Sequence, residues 1–82
     1  MHQNETMPTL ARLARSTITM YADDHLPPHF HVRMNDGREA LIVIADLQIL
    51  RGNIARRELA EVVMWAQTNR SILTKKWKEL NP

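Results

Sequence analysis

The chain has 82 residues, four histidines and no cysteine, and its 11 basic and 9 acidic residues leave a net charge of +2. That length fits one small domain, near the lower limit at which a core suffices without a staple. Disulfide frameworks and thiolate metal sites are excluded, and the charge is too small to argue nucleic-acid binding by itself.

Residues 1–6 are polar and aperiodic after Met1 and read as a flexible tail, which leaves 7–82 as a single domain. Met7-Pro8-Thr9 offers a second start. Leu10, Leu13 and Ala14 have helical spacing, but the segment is short. Residues 17–21 alternate, with Ile18 and Met20 on one face and β-branched threonines on the other, so a strand is expected. Pro27 and Pro28 have no N–H to donate to a ladder, so the segment before them is a loop.

Residues 29–34 alternate again. Phe30, Val32 and Met34 point one way; His29, His31 and Arg33 point the other. Asn35-Asp36-Gly37 supplies a hairpin turn. Residues 38–45 form the partner strand, apolar on both faces as in a covered central strand. Its apolar run, 40–45, is too short for a signal-peptide core or a membrane span. Residues 47–50 are expected to add a short fourth strand.

The last third is helical. Leu59, Val62, Val63, Ala66, Leu73, Trp77 and Leu80 share one stripe at 3.6-residue spacing. One helix over 55–80 would run about 38 Å, so a break near Asn69 is expected, with Ser71 as a cap for the second segment. The expected fold is α+β: a three- to four-stranded antiparallel meander with a long C-terminal helix, broken near Asn69, packed on the Phe30 face. His29, His31 and Arg33 then point away from the helix. Either Leu41 and Val43 or Ala40 and Ile42 face outwards with them. That partly apolar face calls for a cover, either a second copy or another small protein.

Chemistry concentrates in Asp23-Asp24-His25-Leu26-Pro27-Pro28-His29-Phe30-His31. Two imidazoles two apart on a strand project to one face, about 7 Å apart at Cα. Such a pair can converge on a divalent metal such as zinc, with His25 or Asp24 as a further ligand and one position left open. The same residues suit metal-free ribonuclease chemistry. Of His25, His29 and His31, one takes a proton and another returns it, while Arg33 holds the phosphate. A structural reading also stands: aspartates cap the turn and imidazoles bond to backbone around it. Arg56 and Arg57 lie at a helix N-terminus, where backbone N–H groups can join them on an anion. Trp65 lies off the stripe centre and is an interface candidate; Trp77 falls on the stripe and is expected in the core.

Several stretches resemble a family. They are Met7-Pro8-Thr9, Met20-Tyr21-Ala22-Asp23-Asp24-His25, Pro27-Pro28-His29-Phe30-His31, and Leu50-Arg51-Gly52 leading to Arg56-Arg57 and Trp65. Together they resemble the small bacterial family catalogued as domain of unknown function 4160, from residue 7 to about residue 80. The resemblance implies no established activity. It implies a two-gene arrangement, like a toxin–antitoxin pair, with a small partner protein from a neighbouring gene. The chain departs from the family in six extra residues before Met7 and in Ala55, where a proline is frequent. The sequence thus points to a small cytoplasmic protein of such a module, acting through protein–protein contact. A histidine-dependent ribonuclease with RNA as partner, or a divalent-metal-binding protein, is the alternative.

Overall fold

Alternating apolar and β-branched residues build one antiparallel sheet. A computed structural model describes residues 9–82. The expected tail at 1–6 and the second start at Met7 lie outside the described residues. Five strands run in chain order across the sheet: β1 (Thr9–Arg12), β2 (Ser16–Thr19), β3 (His29–Met34), β4 (Glu39–Val43) and β5 (Ile49–Gly52). The α+β class is as expected, but the strand count is five, not three or four.

The extra strand is β1, where helical spacing was read. Four residues are too few for a helix to nucleate, and pairing with β2 (Ala11 opposite Ile18, Arg12 opposite Thr17) supplies the missing backbone bonds. The fourth expected strand is present as β5, shifted to Ile49–Gly52 and joined to β4 through an irregular register. Gly52 (φ +98°) lies so close to β4 that a Cβ there would come within 2.2 Å of the Glu39 carbonyl oxygen. The Asn35-Asp36-Gly37 turn closes the β3–β4 hairpin, with Gly37 at φ +97°.

Two helices follow, α1 (Arg56–Thr68) and α2 (Arg70–Leu80). The break falls at Asn69, as expected. Ser71 lies inside α2, and Asn69 itself makes the joint. Its N–H donates to the Trp65 and Ala66 carbonyls, its amide to the Trp65 carbonyl at 2.8 Å, and its own carbonyl accepts from Leu73 N–H. The longest strand has six residues, about 20 Å, so one straight helix would overshoot the sheet.

The predicted stripe packs as read. Val62, Ala66, Leu73 and Trp77 are buried with Ile18, Phe30, Val32, Ala40 and Ile42, and Leu59, Val63 and Leu80 pack at the margins. Cross-strand pairs hold that face together: Ile18 with Val32, Val32 with Ala40, Phe30 with Ile42. Trp65 sets its ring edge-on to Phe30 at 6.4 Å between centroids. Among the described residues, no helix is long and apolar enough to cross a membrane.

Candidate metal centre

The strand register puts His29 opposite Val43 and His31 opposite Leu41 on β4. Leu41 and Val43 are therefore the pair that shares the histidine face. The expectation that this face turns away from the helices needs correction at His29. Its side chain is fully buried, and its ring lies 5.3 Å from that of Trp77 on α2. The end of α2 closes the sheet where β3 begins. Asp24 N–H donates to Asn81 Oδ1 at 2.7 Å, Asp23 N–H donates to the Leu80 carbonyl at 3.3 Å, and the Asn81 amide donates to the Tyr21 carbonyl. His31 is buried beneath Tyr21, whose ring meets it edge-on at 4.2 Å. Of the three, only Arg33 is exposed.

The loop aims Asp24 at both imidazoles. Asp23 adopts φ +56°, a left-handed conformation that Asp tolerates, and the next residue turns inward. Asp24 Oδ2 lies 3.0 Å from His29 Nε2 and 3.2 Å from His31 Nε2. One ligand atom from each of Asp24, His29 and His31 lies within 4.8 Å of the other two. Donors about 2.0–2.1 Å from a tetrahedral zinc stand roughly 3.3 Å apart, so the two carboxylate–imidazole spacings match that of a metal cage.

The tautomer of His29 follows from its other nitrogen. Nδ1 lies 2.7 Å from the Pro27 carbonyl oxygen. A carbonyl only accepts, so Nδ1 carries the hydrogen, and in the neutral ring Nε2 offers a lone pair. Nε2 is buried and makes no hydrogen bond, although Oδ2 is 3.0 Å away. Two acceptors at that separation repel unless a proton on Nε2, which makes the ring the cationic partner of Asp24, or a metal ion lies between them. A ring that anchors one nitrogen on a backbone carbonyl and frees the other is the usual arrangement of a metal-ligating histidine. His31 Nδ1 is buried without a partner among the described residues, so this ring has no equivalent anchor.

Burial opposes ionisation of Asp24, but the hydrogen bond with His31, the His25 N–H at 2.8 Å and the nearby His29 and His25 together outweigh it. They hold the carboxyl below its usual range. His25 stacks on His29 at 4.9 Å between centroids, stays largely exposed, and brings Nε2 only to 3.6 Å from Asp24 Oδ1. Arg33 lies beyond His31, in register with Thr17 and Glu39. Arg56 and Arg57 are exposed in the first turn of α1, where Glu58 reaches back to accept the Ala55 N–H. Trp65 is half-buried. The structure thus gathers Asp24, His29 and His31, sets His25 beside them, and leaves Arg33 outside the cluster.

Asn81 escaped the sequence reading. An asparagine just past a helix end, followed by proline, marks a stop; nothing local names the Asp24 loop as its partner.

Fold and cluster together define a small α+β protein with a carboxylate–imidazole site at one end of its sheet. Residues 16–78 match the family described as Domain of unknown function (DUF4160), and the chain belongs to that family. No curated protein and no solved structure matches the chain.

Proposed function

We propose that the protein binds a divalent metal ion such as zinc through Asp24 Oδ2, His29 Nε2 and His31 Nε2. The observation that carries this is the buried, unbonded Nε2 of His29, set 3.0 Å from a carboxylate oxygen while Nδ1 is committed to Pro27. A metal ion between the two groups accounts for this geometry, and a protonated His29 paired with Asp24 is the arrangement the test must separate from it. The site needs deprotonated ligands, so affinity falls in acid. Calorimetry of metal-stripped protein with zinc at about pH 7.5 tests it. Heat of binding and a raised melting temperature are expected; no heat with an unchanged melting temperature overturns the proposal.

A second reading is contact with a small protein from a neighbouring gene, in a toxin–antitoxin-like pair, or with a second copy. It is favoured by Leu26, 76% exposed on the loop. The two prolines that follow it in the chain help wall an apolar cavity of about 240 Å³ with Val43, Ile44 and Trp77. Light scattering of the protein alone and co-expressed with its neighbour tests it; a monomer in both cases removes it. The ribonuclease reading carries less, because Arg33 stands beyond the cluster rather than in it.

A further inference from the structure

We infer that the sheet face turned away from the helices binds single-stranded nucleic acid, with phosphates held by Arg12, Arg33 and Arg51 and a base stacked on Tyr21. The inference concerns binding alone and stands apart from the metal reading above.

The strand register lays out the face. Residues directly opposite one another in antiparallel strands share a side of the sheet. One row runs Arg12, Thr17, Arg33, Glu39 from β1 to β4. The next row runs Thr19, His31, Leu41, Arg51 from β2 to β5. All three arginines are exposed. None of them joins an ion pair among the described residues, whereas Arg38 takes both Asp36 and Glu58.

Charge comes next. The two rows set three arginines against Glu39, a balance of +2 that equals the net charge of the whole chain. The remaining basic and acidic residues cancel, so the excess lies on this face. Asp24, at the histidine end, is turned onto His29 and His31, and an ion held there adds positive charge.

The spread of the arginines selects the partner. Arg12 and Arg51 lie on the two edge strands, with Arg33 on the central one. From strand spacing and rise, Arg33 Cα stands about 10 Å from that of Arg12 and about 12 Å from that of Arg51. A peptide that extends a sheet runs along one edge and passes only one of the edge arginines. A chain crossing the strands meets all three, and one charged at every backbone unit meets them in any register. A phosphodiester backbone has that chemistry, and the planar guanidinium binds phosphate through two N–H groups. Thr17, between Arg12 and Arg33, adds a hydroxyl. Tyr21 meets His31 on the same face and is only half-buried. An aromatic ring beside a basic track takes an unpaired base by stacking, which a duplex does not offer.

The test uses the full chain in chelator, so its outcome is independent of the metal site. Fluorescence anisotropy at about 50 mM salt follows a labelled RNA of about ten nucleotides, the same sequence as single-stranded DNA, the duplex, and polyglutamate of equal charge. Both single strands should bind saturably and more tightly than the duplex or polyglutamate. Their log affinity should fall with log salt at a slope of about −2, for three phosphates. Arg33→Gln should weaken binding about three- to tenfold and reduce that slope by about 0.7. Lys75→Gln, on α2, should stay within about twofold. The triple change Arg12→Gln/Arg33→Gln/Arg51→Gln should abolish binding with an unchanged circular dichroism spectrum. No saturable binding, a duplex or polyglutamate held as tightly, a Lys75→Gln loss equal to that of Arg33→Gln, or a triple variant that binds like wild type overturns the inference.

Discussion

Asp24→Asn separates a metal site from a buried ion pair, because the two make opposite demands on the same atom. The amide keeps Oδ1, so the 2.8 Å bond from His25 N–H survives, and the backbone bond to Asn81 is untouched. Oδ2 becomes an NH2 group 3.0 Å from His29 Nε2. With Nδ1–H held by Pro27, the neutral His29 ring presents a lone pair there, and the new N–H meets an acceptor in place of a repelling oxygen. His31 loses at most one hydrogen bond, about 1 kcal/mol, and can shift its proton to Nδ1. Metal-stripped Asp24→Asn is therefore expected within about 1 kcal/mol of wild type, a melting shift below roughly 4–8 °C. Breaking a buried ion pair costs about 3–5 kcal/mol instead. Metal is where the variant should fail. Zinc at about 100 times its Kd adds about 2.7 kcal/mol to wild type, roughly 11–22 °C at this size, and Asp24→Asn should lose nearly all of that rise. Calorimetric melting of both proteins, with chelator and with zinc, decides. A metal-stripped variant that melts tens of degrees lower, or one that keeps the full zinc-dependent rise, refutes the reasoning.

Other expectations follow from single contacts. Asn81→Ala removes the acceptor that fixes Asp24 N–H, so zinc affinity should fall about 10–100-fold, as when outer-shell partners of a metal are lost, with far-ultraviolet circular dichroism unchanged. Gly52→Ala forces a side chain at φ +98° and into the β4 backbone; strain alone costs about 1–3 kcal/mol, readable as a lower denaturation midpoint. Asp24 titrates below its usual value when folded, so its contribution to stability is complete above the unfolded value of about 3.9. It is lost as pH falls through the lowered folded value. Denaturation of metal-stripped protein between about pH 2 and pH 5 should show that loss, and Asp24→Asn should show less of it.

Local pattern made much of this protein legible. Period-two alternation placed Phe30, Val32 and Met34 on one face of a strand and the histidines on the other. Asn35-Asp36-Gly37 marked its hairpin, and the 3.6-residue stripe from Leu59 to Leu80 named the buried helix face. Each of these depends on residues within a few positions of one another, which is why sequence alone determined them. The density of histidine and aspartate likewise located the site. Sequence could not rank its members, because Asp23 and Asp24 are chemically identical and His25 differs from His29 only in place. A left-handed backbone at Asp23 turned Asp24 inward, and the strand register brought His29 and His31 to it while His25 stayed in solvent. The segment of β1 has helical spacing in its sequence, and its four residues form a strand only by pairing with β2. The burial of His29 was missed for a related reason: Trp77 and Asn81, some fifty residues away, reach the loop only after the chain breaks at Asn69 and α2 folds across the sheet end. Those contacts join distant segments, so tertiary structure alone decided them.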